Sequence, residues 1–422
     1  MKVLLIGGGG REHAIAASLV KSLRVDKLYC APGNAGIAKI AECVNIGTMD
    51  FDKLTQFAKD NAIDLSVCSM DDPLCAGIVD AFEAKGLKIF GTRANAAIIE
   101  GSKAFSKDLM KKYGIPTAAY EIFSDADKAL KYLETASYPI VLKASGLALG
   151  KGVLICSTHE EAVAGIGELM LDKKFGTAGD KIVIEEFMTG REVSVLAFVD
   201  GSHYKLMTSS QDHKRAGDGD TGLNTGGMGT FSPSPFYTPE VDAYCREHIY
   251  QKTVDAMKAE GRPFTGVLYF GLMLTPKGPR VLEYNTRFGD PETQVVLPLM
   301  KTDLLTVMRA VTEERLADCP VEFSDGAAAC VIMASRGYPG AYEKGFPITI
   351  PEQLDAELFM AGVKRQDGRL VTSGGRVLGV TAVAEDLPTA LKKAYAAVSQ
   401  IRFENAYYRR DVGRRALEAK EA

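Results

Sequence analysis

Val281-Leu282-Glu283-Tyr284-Asn285 is the stretch that best indicates the fold and the site of this chain. Apolar and polar residues alternate in it, a pattern that predicts a half-buried β-strand. Glu283 and Asn285 are two positions apart, so we expect their side chains on one face of the strand, with Val281 deeper on the same face. Two adjacent oxygen donors suit Mg²⁺, which takes few protein ligands and completes its shell with phosphate and water. The stretch therefore predicts a metal site.

The next segment, Arg287-Phe288-Gly289-Asp290-Pro291-Glu292, is dense in charge for the end of a strand. A solvated face is the plainer interpretation of a lone glutamate and asparagine. The charges and the glycine turn that follow favour a functional site instead.

A glycine-rich segment, Lys143-Ala144-Ser145-Gly146-Leu147-Ala148-Leu149-Gly150-Lys151-Gly152-Val153, lies between two predicted strands. It is similar to a Walker A loop but lacks the glycine required at 145 and the Ser or Thr required at 152, and a strand follows it rather than a helix. A flexible hairpin with two lysines suits a lid over a triphosphate, because the lysines offset phosphate charge. An ordinary hairpin with solvated lysines is equally open at this point.

Glu185, Glu186 and Phe187 end a later predicted strand, and Glu192 begins the next. A carboxylate can hold ribose hydroxyls and an apolar wall can hold adenine, so these residues are candidates for a nucleoside site. Taken singly, solvent-facing glutamates are the simpler interpretation.

Near the N-terminus, Gly7-Gly8-Gly9-Gly10-Arg11-Glu12-His13 follows a predicted strand and opens a predicted helix, where backbone N–H groups can point at an anion. The dinucleotide fingerprint would need a glycine at position 12 or 13, and no acidic residue ends the second strand at 30–33. The loop favours a compact phosphate monoester, held by the loop and Arg11, over NAD. A tight turn without a ligand is the remaining alternative.

Strands and helices alternate through residues 1–101, which predicts a doubly wound parallel sheet with ligands beyond the carboxyl ends of its strands. From residue 102 a helix and several strands follow, and residues 212–235 are expected to form a long polar loop of the kind that is usually functional. The last hundred residues predict a smaller α+β domain.

The composition limits the classes of function. The chain has 422 residues and a formal net charge of −4, which argues against a protein that coats nucleic acid or an anionic membrane. We find no apolar run near the roughly 20 residues that span a bilayer, and no signal-peptide core. Eight cysteines without a C-x-x-C pair favour free buried thiols in a reducing cytoplasm. We expect a cytoplasmic monomer.

Together these motifs resemble the ATP-grasp superfamily and, within it, the phosphoribosylamine–glycine ligases. The matching residues occur in the family's order over residues 1 to about 300. They are Gly8, Gly10, Arg11, Glu12 and His13, then Ala31–Gly36, Glu100–Phe105, Gln211–Arg215, Asn224–Gly229 and Arg287–Gln294.

The resemblance implies a multidomain α/β and α+β fold: an N-terminal domain at 1–101, an ATP-grasp domain at 102–325 with a small lid near 121–189, and a C-terminal α+β domain at 326–422. It also implies an early step of purine synthesis, in which ATP drives the joining of glycine to 5-phosphoribosylamine. Glycine would be phosphorylated first, and the ribosylamine nitrogen would then attack the glycyl phosphate. Glycinamide ribonucleotide, ADP and phosphate would be the products.

The same resemblance implies roles for single residues. ATP would be held by Lys103, Lys143, Gly150, Lys151, Glu185, Glu186, Phe187 and Glu192, and Mg²⁺ or Mn²⁺ by Glu283 and Asn285. The substrates would be bound by Gly8, Gly9, Gly10, Arg11, Glu12, Asn224, Gly226, Gly227, Arg287, Asp290 and Pro291. The catalytic residues would be Arg287, Asp212 and Lys214. Arg11 is expected at the ribosylamine phosphate and Arg287 at the glycine carboxylate.

Three positions depart from the family's pattern. Ser69-Met70 stand where many relatives have Gly-Pro, Thr92 stands where Pro is usual, and Ser145 replaces a common Asp. The first two lie near the expected ribosylamine site, and none removes an expected ATP or metal residue.

Two other functions compete with this hypothesis. A ligase that activates another carboxylate, such as formate or bicarbonate, is disfavoured by the segment 287–294. A catalytically silent nucleotide sensor is disfavoured because it would not require Lys103, Lys143, Glu283 and Asn285 together. The sequence shows no Ser-His-Asp or Cys-His set, and of its five histidines only His213 lies in a loop of interest.

Overall fold

The computed structural model describes residues 1–148 and 152–421. In its N-terminal part the strands are β1 (Lys2–Gly7), β2 (Lys27–Pro32), β3 (Glu42–Cys43), β4 (Leu65–Cys68) and β5 (Ile89–Phe90), and the helices are α1 (Gly10–Leu19), α2 (Phe51–Asp60), α3 (Asp71–Cys75), α4 (Ile78–Glu83) and α5 (Ala94–Gly101). The strands form a parallel sheet of order β3-β2-β1-β4-β5. The central strand β1 is apolar because helices cover both faces of such a sheet. The predicted doubly wound parallel sheet is confirmed.

The small sheet that was predicted to be a lid, and that keeps this name below, follows helix α6 (Lys103–Tyr113). Its elements are β6 (Tyr120–Phe123), α7 (Ala126–Leu133), β7 (Ile140–Ala144), β8 (Val153–Cys156), α8 (His159–Ile166) and β9 (Ile182–Glu186). The strands are antiparallel in the order β6-β9-β7-β8, and the two helices share an apolar core with them. The predictions for Gly150 and Lys151 lie outside the described residues.

The segment expected to be a long loop at 212–235 contains strands instead. The structure has β10 (Arg191–Asp200), β11 (Tyr204–Leu206), β12 (Gln211–Asp212), β13 (Arg215–Gly217), β14 (Thr221–Asn224) and β15 (Gly229–Ser232). β13 and β14 form a hairpin, and β12 pairs with β15. The loop prediction was wrong because β15 also pairs with a strand about a hundred residues later, a long-range contact that local composition does not reveal.

Strands β10 and β11 belong to a sheet that we call the central sheet. Residues after 238 complete it. They form α9 (Pro239–Cys245), α10 (Gln251–Ala259), β16 (Thr265–Thr275), β17 (Gly278–Asn285), α11 (Thr293–Leu299) and α12 (Leu304–Thr312). The sheet is antiparallel in the order β11-β10-β16-β17, so β17 is an edge strand.

Strand β17 carries a β-bulge at Leu282. Gly271 lies opposite Glu283 but Leu272 lies opposite Val281, so β17 has one extra residue at this point. Val281 therefore packs in the same apolar core as Tyr284. The expectation that Val281 shares a face with Glu283 was wrong, because a bulge reverses the alternation of side chains.

The C-terminal elements are β18 (Ala327–Ser335), β19 (Glu357–Met360), β20 (Val363–Gln366), β21 (Arg369–Thr372), β22 (Arg376–Ala384), α13 (Leu387–Val398), β23 (Ala406–Tyr407) and α14 (Arg414–Glu421). The main sheet has the order β12-β15-β18-β22-β19, with β23 beside β18. Two of its strands thus come from the segment 102–325, and the boundary at 325 stays a prediction. Within the described residues, no helix is long and apolar enough to cross a membrane.

A buried arginine connects the β13–β14 hairpin to the C-terminal part of the chain through hydrogen bonds. Arg409 donates from Nε and Nη2 to the two carboxylate oxygens of Asp411, each at 2.8 Å. Its Nη1 donates to Asp220 at 2.8 Å and to the Arg215 carbonyl at 3.1 Å, both in the hairpin segment. The Arg409 side chain is buried, so these contacts replace its water shell.

Replacing Arg409 with leucine should lower the free energy of unfolding by about 3 kcal/mol, because two carboxylates lose their partner. Urea unfolding followed by circular dichroism measures this. The matched control is Arg410→Leu at the exposed neighbouring position, which should change stability by less than about 0.5 kcal/mol. Equal stability of the two variants would contradict the role given to Arg409.

Candidate active site

The lid and the central sheet meet at the start of helix α6. Ser102 caps the helix by accepting the Phe105 N–H at 3.2 Å. Ser145 from the glycine-rich segment accepts the Lys103 N–H through its carbonyl at 2.8 Å and the Ala104 N–H through its hydroxyl at 3.1 Å. These bonds satisfy helix N–H groups that have no partner inside the helix. The departure at Ser145 therefore leaves a side chain that still joins α6 to the lid.

Two lysines predicted to bind ATP lie at this junction. Lys103 donates from Nζ to the Gly146 carbonyl at 3.2 Å. Lys143 of β7 lies 3.0 Å from a Glu185 oxygen and donates to the Leu282 carbonyl at 3.2 Å. The bulge in β17 thus supplies an acceptor for Lys143 one residue before Glu283.

A third lysine, Lys107, was missed by sequence reasoning. Its Nζ lies 3.1 Å from the second oxygen of Glu185, and both side chains are buried. Burial lowers the pKa of Lys107 to about 8, although Glu185 opposes the shift. The available signal was its spacing: Lys107 is four residues after Lys103 in a helix, and such residues share a face.

The four residues expected around adenosine are not equivalent. Glu185 is buried between two lysines, so the simpler interpretation of a solvent-facing side chain was wrong for it. Glu186 is exposed, and accepts the Ala119 N–H at 3.0 Å and an Arg280 N–H at 3.1 Å. Phe187 is 38% exposed, an unusual position for a phenylalanine and one that leaves its ring free to contact a ligand. Glu192 also is exposed.

The predicted metal residues lie beside a cation. Lys214 donates from Nζ to Glu283 at 3.2 Å and lies 3.8 Å from a Glu192 oxygen. The Lys214 charge outweighs the effect of burial and lowers the pKa of Glu283 to about 2. Asn285 accepts an N–H of Arg287 at 3.3 Å. Glu283 therefore offers an ionised carboxylate and Asn285 an amide oxygen at one end of β17.

Arg287 faces acidic groups of the N-terminal domain. Its Nη2 lies 3.5 Å from Glu100 and 4.0 Å from Asp71. Its Nε is buried and has no hydrogen-bond partner within the described residues. Glu100 is fixed in turn by the N–H and hydroxyl of Thr286, at 2.7 and 2.8 Å. The Arg287 Nε–H group is thus a hydrogen-bond donor without a partner in the described part of the chain, close to the end of β17.

Four of the predicted substrate residues lie close together: Gly226, Gly227, Asp290 and Pro291. Gly227 has a φ of +118°, and a Cβ there would lie 2.4 Å from Pro291 and 2.8 Å from an Asp212 oxygen, so only glycine fits. Arg376 donates to the carbonyls of Gly226 and Asp290 at 2.8 Å each, and pairs with the Asp290 carboxylate at 3.0 Å. Sequence reasoning missed Arg376 because it lies some 85 residues away in the chain. Asn224 lies at the end of β14, two residues before Gly226.

The catalytic candidate Asp212 lies beside another acid. Removal from water, and then the Glu292 carboxylate, raise the pKa of Asp212 well above its usual range. Glu292 is buried and accepts the Tyr269 hydroxyl at 3.1 Å. A carboxyl with a raised pKa is a stronger proton acceptor than an ordinary aspartate.

The N-terminal glycine loop packs against the segment that follows β17. Gly9 donates its N–H to Glu12 at 2.8 Å, and Arg11 donates to Glu12 at 2.6 Å. A second Arg11 nitrogen donates to the Phe288 carbonyl at 3.1 Å. A Cβ at Gly8 would lie 2.5 Å from the Gly33 carbonyl, so this glycine permits a close approach of two turns. Gly10 begins α1 and is buried.

Two departures from the family pattern have different surroundings. Ser69 accepts the Phe288 N–H at 2.8 Å, so it connects the N-terminal sheet to the site segment. Thr92 is buried, and its hydroxyl has no partner within the described residues. Nothing in the structure explains the hydroxyl at position 92.

The fold and the site place the chain in the ATP-grasp class of ATP-dependent ligases. Residues 1–100, 101–293 and 328–415 match the N, ATP-grasp (A) and C domains of phosphoribosylglycinamide synthetase. The chain therefore belongs to the phosphoribosylglycinamide synthetase family.

Individual relatives agree with this family. The chain is 48% identical over 413 residues to the phosphoribosylamine–glycine ligase of Caldanaerobacter subterraneus subsp. tengcongensis, and the alignment covers 98% of this chain and 99% of that protein. The crystal structure of the Thermotoga maritima phosphoribosylamine–glycine ligase superimposes with a TM-score of 0.87 at 36% identity, over 98% of this chain and 100% of that one. At 17% identity the biotin carboxylase domain of Hydrogenobacter thermophilus 2-oxoglutarate carboxylase shares the fold, with a TM-score of 0.74 over 96% of this chain and 91% of that one.

His213, the histidine in a loop of interest, has a structural environment. Its Nε2 accepts the Gly413 N–H at 3.2 Å, and its Nδ1 lies 3.2 Å from the Gly229 carbonyl. The neutral ring with the proton on Nδ1 satisfies both contacts. Burial, and then the nearby Arg409, lower the pKa of His213 to about 4.

This histidine should make the protein less stable in mild acid. The unfolded ring takes a proton near pH 6.5 and the folded ring only near pH 4, so its stabilisation is complete above about pH 6.5 and is lost as the pH falls toward about 4. Between about pH 7 and about pH 5 the loss should be about 2 kcal/mol. His213→Gln should reduce this pH dependence in urea unfolding, whereas His159→Gln on the exposed lid surface should not. An unchanged slope in His213→Gln would contradict the assignment.

Proposed function

We propose that the protein joins glycine to 5-phosphoribosylamine at the expense of ATP, giving N1-(5-phosphoribosyl)glycinamide, ADP and phosphate in purine biosynthesis. The observation that carries the proposal is the convergence of Lys103, Lys143 and the ionised Glu283 at the junction of lid and central sheet. This supports phosphoryl transfer, and the family match over the whole chain supports the substrates.

The chemistry follows from the leaving group. A carboxylate oxygen is a poor leaving group, so a glycine oxygen first attacks the γ-phosphorus of ATP and releases ADP. The ribosylamine nitrogen then attacks the carbonyl carbon of glycyl phosphate, and the C–O bond breaks with loss of phosphate and of a proton from nitrogen. Such transfers depend on positioning and on cationic groups rather than on a covalent nucleophile.

The residues at the end of β17 fit a divalent cation. Glu283 is ionised and Asn285 presents an amide oxygen, and two protein donors are enough for Mg²⁺ or Mn²⁺ when phosphates and water supply the rest. When bound, the metal would offset the charge of the phosphates. Lys214 holds the Glu283 carboxylate in place.

ATP is proposed to lie between the lid and the central sheet. Lys103 and Lys143 would face its phosphates, and Lys151 and Gly150 belong to the same glycine-rich segment. Phe187 and Glu192, both exposed, would contact the adenosine, with Glu186 beside them. Glu185 would act at this site through its pair with Lys143.

The two other substrates are proposed to lie at opposite sides of the segment after β17. Arg287, with a free buried Nε, would bind the glycine carboxylate, because a guanidinium pairs with a carboxylate through two parallel bonds. Gly8, Gly9, Gly10, Arg11 and Glu12 would form the ribosylamine side, with Asn224, Gly226, Gly227, Asp290 and Pro291 completing the walls. Asp212 is proposed to accept the proton that the amine loses.

We also propose a monomeric enzyme of the cytoplasm. All eight cysteines are free thiols, and six of them are buried, which is consistent with a reducing compartment.

The decisive experiment measures ADP release from ATP and Mg²⁺ by the purified protein. Release should require glycine and freshly made phosphoribosylamine together, and the product should be phosphoribosylglycinamide by mass spectrometry. Release that instead depends on formate or bicarbonate would favour the second ligase hypothesis. ATP binding without turnover under every condition would favour the nucleotide sensor.

Replacing Glu283 with glutamine removes the metal-binding charge but keeps the size of the side chain. Turnover should fall at least about 100-fold, because a weakly bound metal would no longer offset the charge of the phosphates. The melting temperature should stay within a few degrees of that of the wild type. Glu121→Gln, on the exposed edge of the lid, is the control and should keep full activity. A fully active Glu283→Gln enzyme would disprove the metal assignment.

Replacing Arg287 with lysine keeps the positive charge but removes the bidentate hydrogen bonding that a guanidinium can make to a carboxylate. The KM for glycine should rise at least about tenfold, while the Kd for ATP changes less than about threefold. Steady-state kinetics with glycine varied, and calorimetry with ATP, separate the two. Arg309→Lys, on helix α12, serves as the matched control. A rise in the KM for phosphoribosylamine alone would place Arg287 at the other substrate.

A further inference from the structure

We infer that Lys107 is a positioning residue for ATP: its pairing with Glu185 leaves the charge of Lys143 available to the polyphosphate. Lys107 stands apart from the residues assigned to ATP above. The inference deepens the proposed function and rests on it.

The geometry is a chain of three buried charges. Lys107 Nζ lies 3.1 Å from one oxygen of Glu185, and Lys143 Nζ lies 3.0 Å from the other. The side chains of Lys107 and Glu185 are each 2% exposed, and that of Lys143 is 8% exposed. The carboxylate is thus shared between a lysine of α6 and a lysine of the lid.

Lys107 is also fixed from the other side. It donates to the Thr117 hydroxyl at 2.8 Å, and that hydroxyl donates to the Val281 carbonyl at 2.7 Å. Val281 directly precedes the bulge at Leu282, whose carbonyl accepts from Lys143. Both lysines are therefore held against the same part of β17, next to the metal residue Glu283.

The charge balance gives Lys107 its effect. Lys107, Glu185 and Lys143 together carry one positive charge. Without Lys107 the remaining pair of Lys143 and Glu185 is neutral. The positive charge of Lys143 would then be balanced by Glu185 and would attract a phosphate less strongly. The pKa of Lys107, about 8, keeps the side chain mostly protonated at neutral pH.

A merely structural role predicts something different. A lysine that only supports the packing of α6 would, when replaced, lower the melting temperature and the turnover without a selective effect on ATP. Its replacement also would not be corrected by removing the charge of Glu185. The two roles therefore differ in which KM changes and in what restores it.

The experiment compares Lys107→Met with the double variant Lys107→Met/Glu185→Gln in the full-length protein. The single variant should raise the KM for ATP, and the Kd for ATP by calorimetry, at least about tenfold, with the KM for glycine changed less than about twofold. The double variant again leaves one net positive charge, and Gln keeps an oxygen acceptor, so the KM for ATP should return to within about threefold of wild type. Lys107→Arg should stay near wild type.

Lys111→Met, one turn further along α6 at an exposed position, is the matched control and should leave the KM for ATP unchanged. Should Lys107→Met fail to fold, the double variant, which keeps the net charge of the wild-type cluster, is measured instead, and its KM for ATP relative to wild type decides. An unchanged KM for ATP in the single variant, or no recovery in the double variant, would overturn the inference. A wild-type protein that binds ATP but does not consume glycine and phosphoribosylamine would contradict the proposed function alone, since ATP binding still tests Lys107.

Discussion

The hydrogen bonds of Phe288 with the N-terminal domain are the contacts on which the arrangement of the site depends. Its N–H is accepted by Ser69 and its carbonyl accepts from Arg11. On either side, Arg287 faces Glu100 and Asp290 pairs with Arg376 of the C-terminal sheet. The segment directly after β17 thus contacts both the N-terminal and the C-terminal parts of the chain. The Phe288 ring is buried in an apolar core that also contains residues of strands β1 and β18.

This connection brings several charged side chains close together in a partly buried site. Asp290 would be costly to bury alone: burial raises its pKa, but Arg376 and Arg11 outweigh that effect and hold the pKa below its usual value. Glu283 is kept ionised by Lys214 in the same manner. Asp212 is the exception, because burial, and then the nearby Glu292 carboxylate, raise its pKa. The pKa of each of these acids therefore depends on its burial and on the charges that the fold places beside it.

Two strands of the lid contact helix α6. Glu185 at the end of β9 reaches a lysine on α6, and Ser145 at the end of β7 accepts two N–H groups from the start of α6. Helix α6 therefore contacts the lid at both Glu185 and Ser145. These contacts hold Lys143 beside β17, where it donates to the Leu282 carbonyl.

The sequence by itself determined most of the element types outside 212–235, the parallel N-terminal sheet and the family, because hydrophobic periodicity, glycine turns and ordered motifs are local. It also predicted Glu283 and Asn285 as metal residues from their spacing along one strand, Lys143 as an ATP residue from the glycine-rich segment, and Lys103 through the family resemblance. Only the tertiary structure decided the bulge at Leu282, the strands within 212–235, and the parts played by Lys107 and Arg376. These depend on partners far apart in the chain, and neither strand pairing nor the burial of a charge beside its counter-charge leaves a mark in the local pattern of residues.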